Sequence, residues 1–525
     1  MNEFNPHSVN DIIVVGGGTA GLVTALIVRR ANPHINIKVL ESSDIGIIGV
    51  GEGSTEHWNE FMIGLGLDMG EMFRETDATF KTGIKFKNWN GDGDHYWHQV
   101  VSPYDSEFIN YVPSYYTYII AEGMHNEKMS AENFVNCRFI PDIHSTNQFH
   151  FDTFKLNQWL HKKCRAKGIE FIDAIVENVN LDERGYVREL VDSNHNAYQA
   201  DFFIDASGFN RVIMKHLGAK WYDVDDKLPM NHAIAFPTGY LEDIPSHTTS
   251  TALSSGWLWN IPTQQRQGNG YVFCDEFISV DQAVNEVEEH LGHKIDVAKD
   301  IKFKAGRLEK PLIKNCLAVG LASMFVEPLE ASSIGCTLQQ AFVFSNMLHT
   351  YVKGTTVMEN RYNKILDGVF DNIIDFIQIH YLTKRNDTEF WKAKDSLITL
   401  TDFNKETLEV FKHTMPNKFN LEENYFMFRA SNWIQVMHGL GMFNQDSIRK
   451  MWEKQPEYAR LDIAAQYMRT QYQDNEMATM KHRDHIEAYK GMIMKYGSYN
   501  TQAELEREIE KSNREFDYEK MTGQQ

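Results

Sequence analysis

One feature constrains this chain more than any other: a glycine cluster set between an apolar strand and an apolar helix. Ile12-Ile13-Val14-Val15 is a continuous β-branched run, Gly16-Gly17-Gly18-Thr19-Ala20-Gly21 follows, and the pattern predicts a helix from Leu22 to Arg30. Ile35 to Leu40 returns as a second strand and stops at Glu41. Two parallel strands joined by a crossover helix satisfy that order. Gly16, Gly18 and Gly21 hold the G-x-G-x-x-G spacing. The first glycine allows the turn, the second lets backbone N–H groups approach a pyrophosphate, and the third lets helix pack on strand. Thr19 and Ala20 sit at the helix N-terminus, whose partial positive charge favours an anion. Glu41 comes about 20 residues after Gly21, where a carboxylate can accept ribose hydroxyls. The bland alternative is a glycine turn that only packs a helix on a sheet.

Further along, FKTGIKFKNW at 80–89 alternates as a strand would, and glycines crowd the segment from Asp44 to Gly70. Leu156 to Lys167 predicts an amphipathic helix stopped by Gly168; Phe171 to Val179 and Ala200 to Gly208 predict strands. Residues 220–305 suggest an antiparallel sheet, and helices dominate after Gly320. Thr501-Gln502-Ala503-Glu504 has the capping-box pattern before a charged helix ending near Phe516. The expected fold is mixed α/β. A Rossmann-like FAD-binding module with an interleaved antiparallel sheet region covers 1–345, and a mainly helical C-terminal lobe covers 346–525. The late strand ending at Asp205 and the run NCLAVG ending at Gly320 come where FAD domains close their sheet, which favours FAD over NAD.

Composition narrows the partners. Lys+Arg 52 against Asp+Glu 72 gives a net charge of −20, which repels phosphate backbones and anionic membranes. The apolar run Ile12 to Val28 is broken by glycine and is too short to span a bilayer comfortably. The five cysteines, Cys137, Cys164, Cys274, Cys316 and Cys336, are scattered without a C-x-x-C pair. These features predict reduced thiols in a cytoplasmic protein with no metal site, no nucleic acid and no membrane; a homo-oligomer is left open.

Four segments resemble the flavin-dependent (tryptophan) halogenases: GGGTAG at 16–21 with IGVGEGST at 48–55, FKTGIKFKNW at 80–89, GWLWNIP at 256–262, and GLASMFVEPLEASSIG at 320–335. Weaker similarity runs through HYLTKRNDTEFW at 380–391 and SNWIQVMHGLG at 431–441. The resemblance implies that reduced FAD and O2 convert a halide to hypohalous acid, which travels to Lys81 beside an aromatic substrate. Glu330 completes that site. By the same resemblance Gly51, Glu52, Asp205, Gly320 and Ile334 join the glycine motif around FAD. The amides of Ser332 and Ser333 hold the halide. Trp257, Trp259, Ile261 and Pro262, with His98, line the passage to the substrate. A separate NAD(P)H-dependent flavin reductase supplies the reduced flavin.

Two departures stand out. Where the family often has Glu-Ser-Thr-Gly, this chain has Glu330-Ala331-Ser332-Ser333, and no clamp for free tryptophan is recognisable. Loss of glycine at 333 restricts the backbone, so bromide or iodide is expected to exceed chloride, with indoles, phenols or larger aromatics as substrates. A flavin monooxygenase and a non-catalytic FAD-binding protein are the alternatives. Lys81, Lys85 and Lys87 could also line a solvated strand face.

Overall fold

A buried β-branched run must pair on both edges, and β1 (Asp11–Val15) does so. The computed structural model describes residues 9–47, 49, 52–91, 93–99, 115–139, 147–421 and 427–491. Gly51 and the helix expected over 501–516 lie outside the described residues. After β1 come α1 (Thr19–Ala31), β2 (Asn36–Glu41), β3 (Glu52–Gly53), β4 (Thr79–Phe80), β5 (Gly83–Lys87) and β6 (His95–Gln99). Next are β7 (Phe149–Phe151), α2 (Thr153–Ala166), β8 (Glu170–Asp173) and β9 (Phe202–Asp205). Then follow β10 (His232–Thr238), β11 (His247–Ala252), β12 (Gly256–Pro262), β13 (Gln267–Phe273), β14 (Lys299–Lys302) and β15 (Cys316–Ala318). Of the later helices, α3 (Ser332–Met347), α4 (Val357–His380), α5 (Ala430–Gly439) and α6 (His482–Gly491) matter for the site.

Two larger sheets carry the structure. The nucleotide-type sheet runs Leu312–Ile313, β15, β9, β1, β2, β8, with β15 through β8 parallel. Helices α2 and α3 both pack on α1, which is buried from Gly21 to Val28. Asp152 caps α2 by accepting from the amides of Phe154 and Lys155, and Gly168 ends the turn with φ +72°. The second sheet runs β14, β10, β13, β12, β11, β5, β6 and is antiparallel except where β11 meets β5. This is the antiparallel region expected over 220–305. A small sheet, β3, β7, β4, lies beside it. Residue 345, the expected boundary, falls within α3, and one hydrophobic core runs from Val9 to Tyr489 across it. No described helix is long and apolar enough to cross a membrane. All five cysteines are free thiols.

The segment 80–89, read as one strand, is two. β4 pairs with β7, β5 pairs with β11 and β6, and the chain changes sheets at Lys81-Thr82. At the crossing the Lys81 N–H donates to the Gln148 carbonyl (2.9 Å) and the Thr82 N–H to that of Ser246 (2.7 Å). The alternation in the sequence survives such a change, because each half keeps its own inward face. The run Phe171 to Val179 divides for the same reason, into β8 and a strand over Val176–Leu181 in a different sheet.

Candidate active site

The glycine motif shows where glycine is required and where it leaves room. A Cβ on Gly16 (φ +118°) would lie 2.4 Å from the Ala206 carbonyl oxygen, and one on Gly21 would lie 2.0 Å from that of Gly16. A Cβ on Gly18 would meet nothing within 4 Å, so there the backbone faces open space. Gly18 is the N-cap of α1 without a side-chain cap, leaving the first amides of the helix for a ligand. Glu41 ends β2 and accepts from Nε2 of His161 on α2 (2.7 Å), a contact that raises the His161 pKa against burial. One carboxyl oxygen of Glu52 is buried without a protein partner, and burial lifts its pKa to about 7. An open glycine edge, uncapped amides, an acid at the end of β2 and an orphaned buried oxygen fit a dinucleotide. Asp205 is different: its carboxylate accepts from the amides of Ser207, Ile213 and Met214 and from the Ser207 hydroxyl, so it ties its own loop.

Lys81 is 1% exposed, and its ammonium donates to the Ser54 carbonyl (3.2 Å). The solvated-face reading therefore fails for Lys81, while Lys87 is exposed and Lys85 is half-buried. Burial pushes the Lys81 pKa down to about 8, opposed by the charges of Glu330 and Glu56. Gly53 brings the groups together: a Cβ placed there would lie 3.2 Å from that of Ala331 and 3.7 Å from Nζ of Lys81.

Glu330 is buried between two imidazoles. Nδ1 of His98, on β6, lies 2.7 Å from Oε2, and Nε2 of His380, the last residue of α4, lies 2.9 Å from Oε1. Burial raises the carboxyl pKa, but the two histidines overcome it and hold it at about 2. The tautomer of His98 follows from its next partner. Asn432 on α5 accepts from the Arg429 amide through Oδ1, so its Nδ2 donates to Nε2 of His98 (2.9 Å). His98 therefore carries its proton on Nδ1. Tyr96 Oη lies 2.9 Å from Nδ1 of His380, so that ring is held between the hydroxyl and the Glu330 carboxylate. The sequence reading named His98 but not His380, Tyr96 or Asn432. The weakly similar segments beginning at His380 and Ser431 were the available signal.

Trp257 and Trp259 share a face of β12, their rings 6.1 Å apart, and both are buried in the main core with Ile261. A Cβ on the facing Gly270 would lie 2.1 Å from the Trp259 ring, so glycine there makes room for the indole. The Pro262 carbonyl accepts from Thr79 at the start of β4 (2.7 Å). A second buried acid, Glu327, accepts from the Trp257 indole N–H (3.1 Å) and the Tyr381 hydroxyl (2.5 Å), and burial pushes its pKa to about 8. Elsewhere among the described residues, His95, His125 and Glu127 bring metal-ligating types together. Nδ1 of His125 accepts from the Glu127 amide and Nε2 faces the His95 carbonyl, so that ring is committed to hydrogen bonds.

A tryptophan halogenase family model matches residues 11–456. The chain belongs to the tryptophan halogenase family. It is 30% identical over 507 residues to the tryptophan 6-halogenase ThaL of Streptomyces albogriseolus, covering 87% of this chain and 94% of that one. It is 29% identical over 483 residues to the tryptophan 7-halogenase RebH of Lentzea aerocolonigenes, covering 83% and 90%. Its structure resembles BrvH, a flavin-dependent halogenase from Brevundimonas sp. BAL3, with TM-score 0.81 at 26% identity over 92% of this chain and all of that one. The protein is thus a flavin-dependent halogenase with the Rossmann-type FAD-binding fold.

In this halogenase the loop after Glu330 differs from the expectation. Ser332 and Ser333 are the first two residues of α3 and are helical, so serine at 333 is unstrained. The left-handed residue is Ala331 (φ +53°), an N-cap without a side-chain hydrogen bond, which leaves the following amides free. Glycine is needed two residues later, where a Cβ on Gly335 would lie 2.2 Å from Oγ1 of Thr55. The premise of the bromide or iodide preference therefore does not hold, and a structurally similar enzyme is a tryptophan C-6 chlorinase from taromycin biosynthesis (25% identity, TM-score 0.84). Ser332 and Ser333 line a cavity of about 20 Å³ with Gly320. Gly320 (φ +59°) lies against the start of α1, where its Cβ would be 2.6 Å from that of Ala20, and Ile334 is buried behind it.

Proposed function

We propose that this enzyme halogenates an electron-rich aromatic ring with Lys81 as the halogen relay. The observation that carries the reading is a fully buried lysine, its pKa brought down to about 8, beside a carboxylate held ionised by two histidines. Bound FADH2, with O2, would supply the oxidising power that turns a halide into hypohalous acid. Gly16, Gly18, Gly21, Thr19, Ala20 and Glu41 would hold the dinucleotide, with Glu52, Gly320 and Ile334 nearer the flavin. The amides of Ser332 and Ser333 at the uncapped start of α3 offer an anion site, and chloride is included among its halides.

An amine takes up electrophilic halogen through its lone pair, so the depressed pKa keeps a useful neutral fraction. The Glu330 carboxylate draws the cationic form of Lys81 toward one place and stabilises positive charge developing on the arene. Trp257 and Trp259 keep flavin and arene apart, so oxygen is not transferred directly. An independent NAD(P)H-dependent flavin reductase supplies the reduced cofactor. With such a reductase, FAD, O2 and chloride, Lys81→Ala is expected to lose halogenated product by at least about 100-fold while FAD binding and peroxide release persist. Mass spectrometry across indoles and phenols provides the readout. Near-normal product from that variant refutes the relay.

A further inference from the structure

Alternate amides of a strand face opposite edges. At the end of β4 the Lys81 N–H faces β7 and donates to Gln148, so the Phe80 N–H faces the other edge, which pairs with no strand among the described residues. There it donates to Nε2 of His482 (3.1 Å). His482 is 2% exposed, and its Nδ1 donates to the Ile244 carbonyl (3.1 Å). The two contacts require one neutral tautomer, and burial keeps it neutral by lowering its pKa to about 3. The ring stacks on Phe139 with centroids 4.7 Å apart. Phe80 itself is enclosed by His485 (4.8 Å) and Tyr489 (4.7 Å) from the same helix. That helix is α6, which begins at His482, past residue 456 where the family match ends.

We infer that His482 is a positioning residue for Lys81. By standing in for a missing strand at Phe80, it sets the backbone from which the Lys81 side chain reaches the halogen. The segment after residue 456 thereby becomes part of the relay's support. This rests on Lys81 being the relay. Without the acceptor, the Phe80 amide must seek another partner and the crossing at Lys81-Thr82 shifts with it. A displacement of about 1 Å at a reacting group suffices for a large loss of rate.

Two polar substitutions separate positioning from general damage. His482→Gln puts an amide oxygen near the Nε2 position and keeps the acceptor. His482→Asn keeps a donor toward Ile244 and loses the acceptor. With reductase, FAD, O2, chloride and an accepted arene, the Asn variant is expected to bind FAD normally and consume O2 at the wild-type rate. Its kcat for halogenated product falls about tenfold with KM for the arene little changed, and hypohalous acid captured by a soluble β-diketone rises in proportion. The Gln variant stays within about twofold of wild type. Hydrogen–deuterium exchange of the peptide over 79–83 is slow in the wild-type enzyme and faster in the Asn variant, with the rest of the protein unchanged. Equal coupling in the Asn and Gln variants, or rapid exchange over 79–83 in the wild type, overturns the inference. Lys81→Ala run in parallel separates the two claims. Product from Lys81→Ala removes the relay and this inference with it, whereas an inactive Lys81→Ala beside a fully coupled Asn variant removes only His482.

Discussion

Lys81 and Glu330 oppose each other in protonation. Burial favours the neutral amine, whereas the carboxylate attracts its proton. Halogen capture by the amine should therefore rise with pH through about 8, as the ammonium deprotonates. Removing the Glu330 charge removes one influence that raises the lysine pKa, so Glu330→Gln should move that rise to lower pH even as the maximal rate falls. A pH profile of product formation under saturating reduced flavin measures this, and an unmoved or upward-shifted limb contradicts it. At this scale the sequence named Lys81 and Glu330 from short motifs and His98 from the family resemblance, and the structure brings the three together. His380 opens the more weakly similar segment at 380–391, which by itself assigned it no role. Its contact with Glu330 exists only because the end of α4 packs over β5 and β6, where its ring also stacks on Phe86 at 4.7 Å.

At the scale of an element, the start of α3 shapes the loop proposed to hold the halide. Ala331→Gly should relieve a left-handed alanine and raise stability by up to about 1 kcal/mol. Ser333→Gly puts glycine inside a helix turn and should cost about 0.5 kcal/mol. Thermal melts measure both. Neither change should alter the order in which chloride and bromide are used at equal concentration; a reversed order after Ser333→Gly would restore the glycine argument. The elements themselves were legible where one period held over one sheet, as in β1, α1 and β2. They were not legible where the chain changes partners, because FKTGIKFKNW reads alike as one strand or as two halves joined at Lys81. The glycine that the loop needs was likewise sought at 333, whereas the close approach to Thr55 requires it at 335.

For the whole molecule, a single dinucleotide motif sets the terms of supply. The protein should not sustain turnover with NADH, FAD, O2 and halide alone, and an added flavin reductase should restore it. Steady NADH consumption without the reductase would show otherwise. Supply of electrons is one side of the reaction; removal of a proton is the other. Substitution on an arene releases one proton for each halogen added. Around Glu330 each histidine is backed by a second polar group: Asn432 contacts His98 on one side, and Tyr96 contacts His380 on the other. The far nitrogens of both rings are occupied by Asn432 and Tyr96, and neither ring reaches solvent. The histidine pair thus acts as a terminus rather than a wire. A proton taken by Glu330 is therefore expected to leave on the side of Lys81, where the halogenated ring would lie.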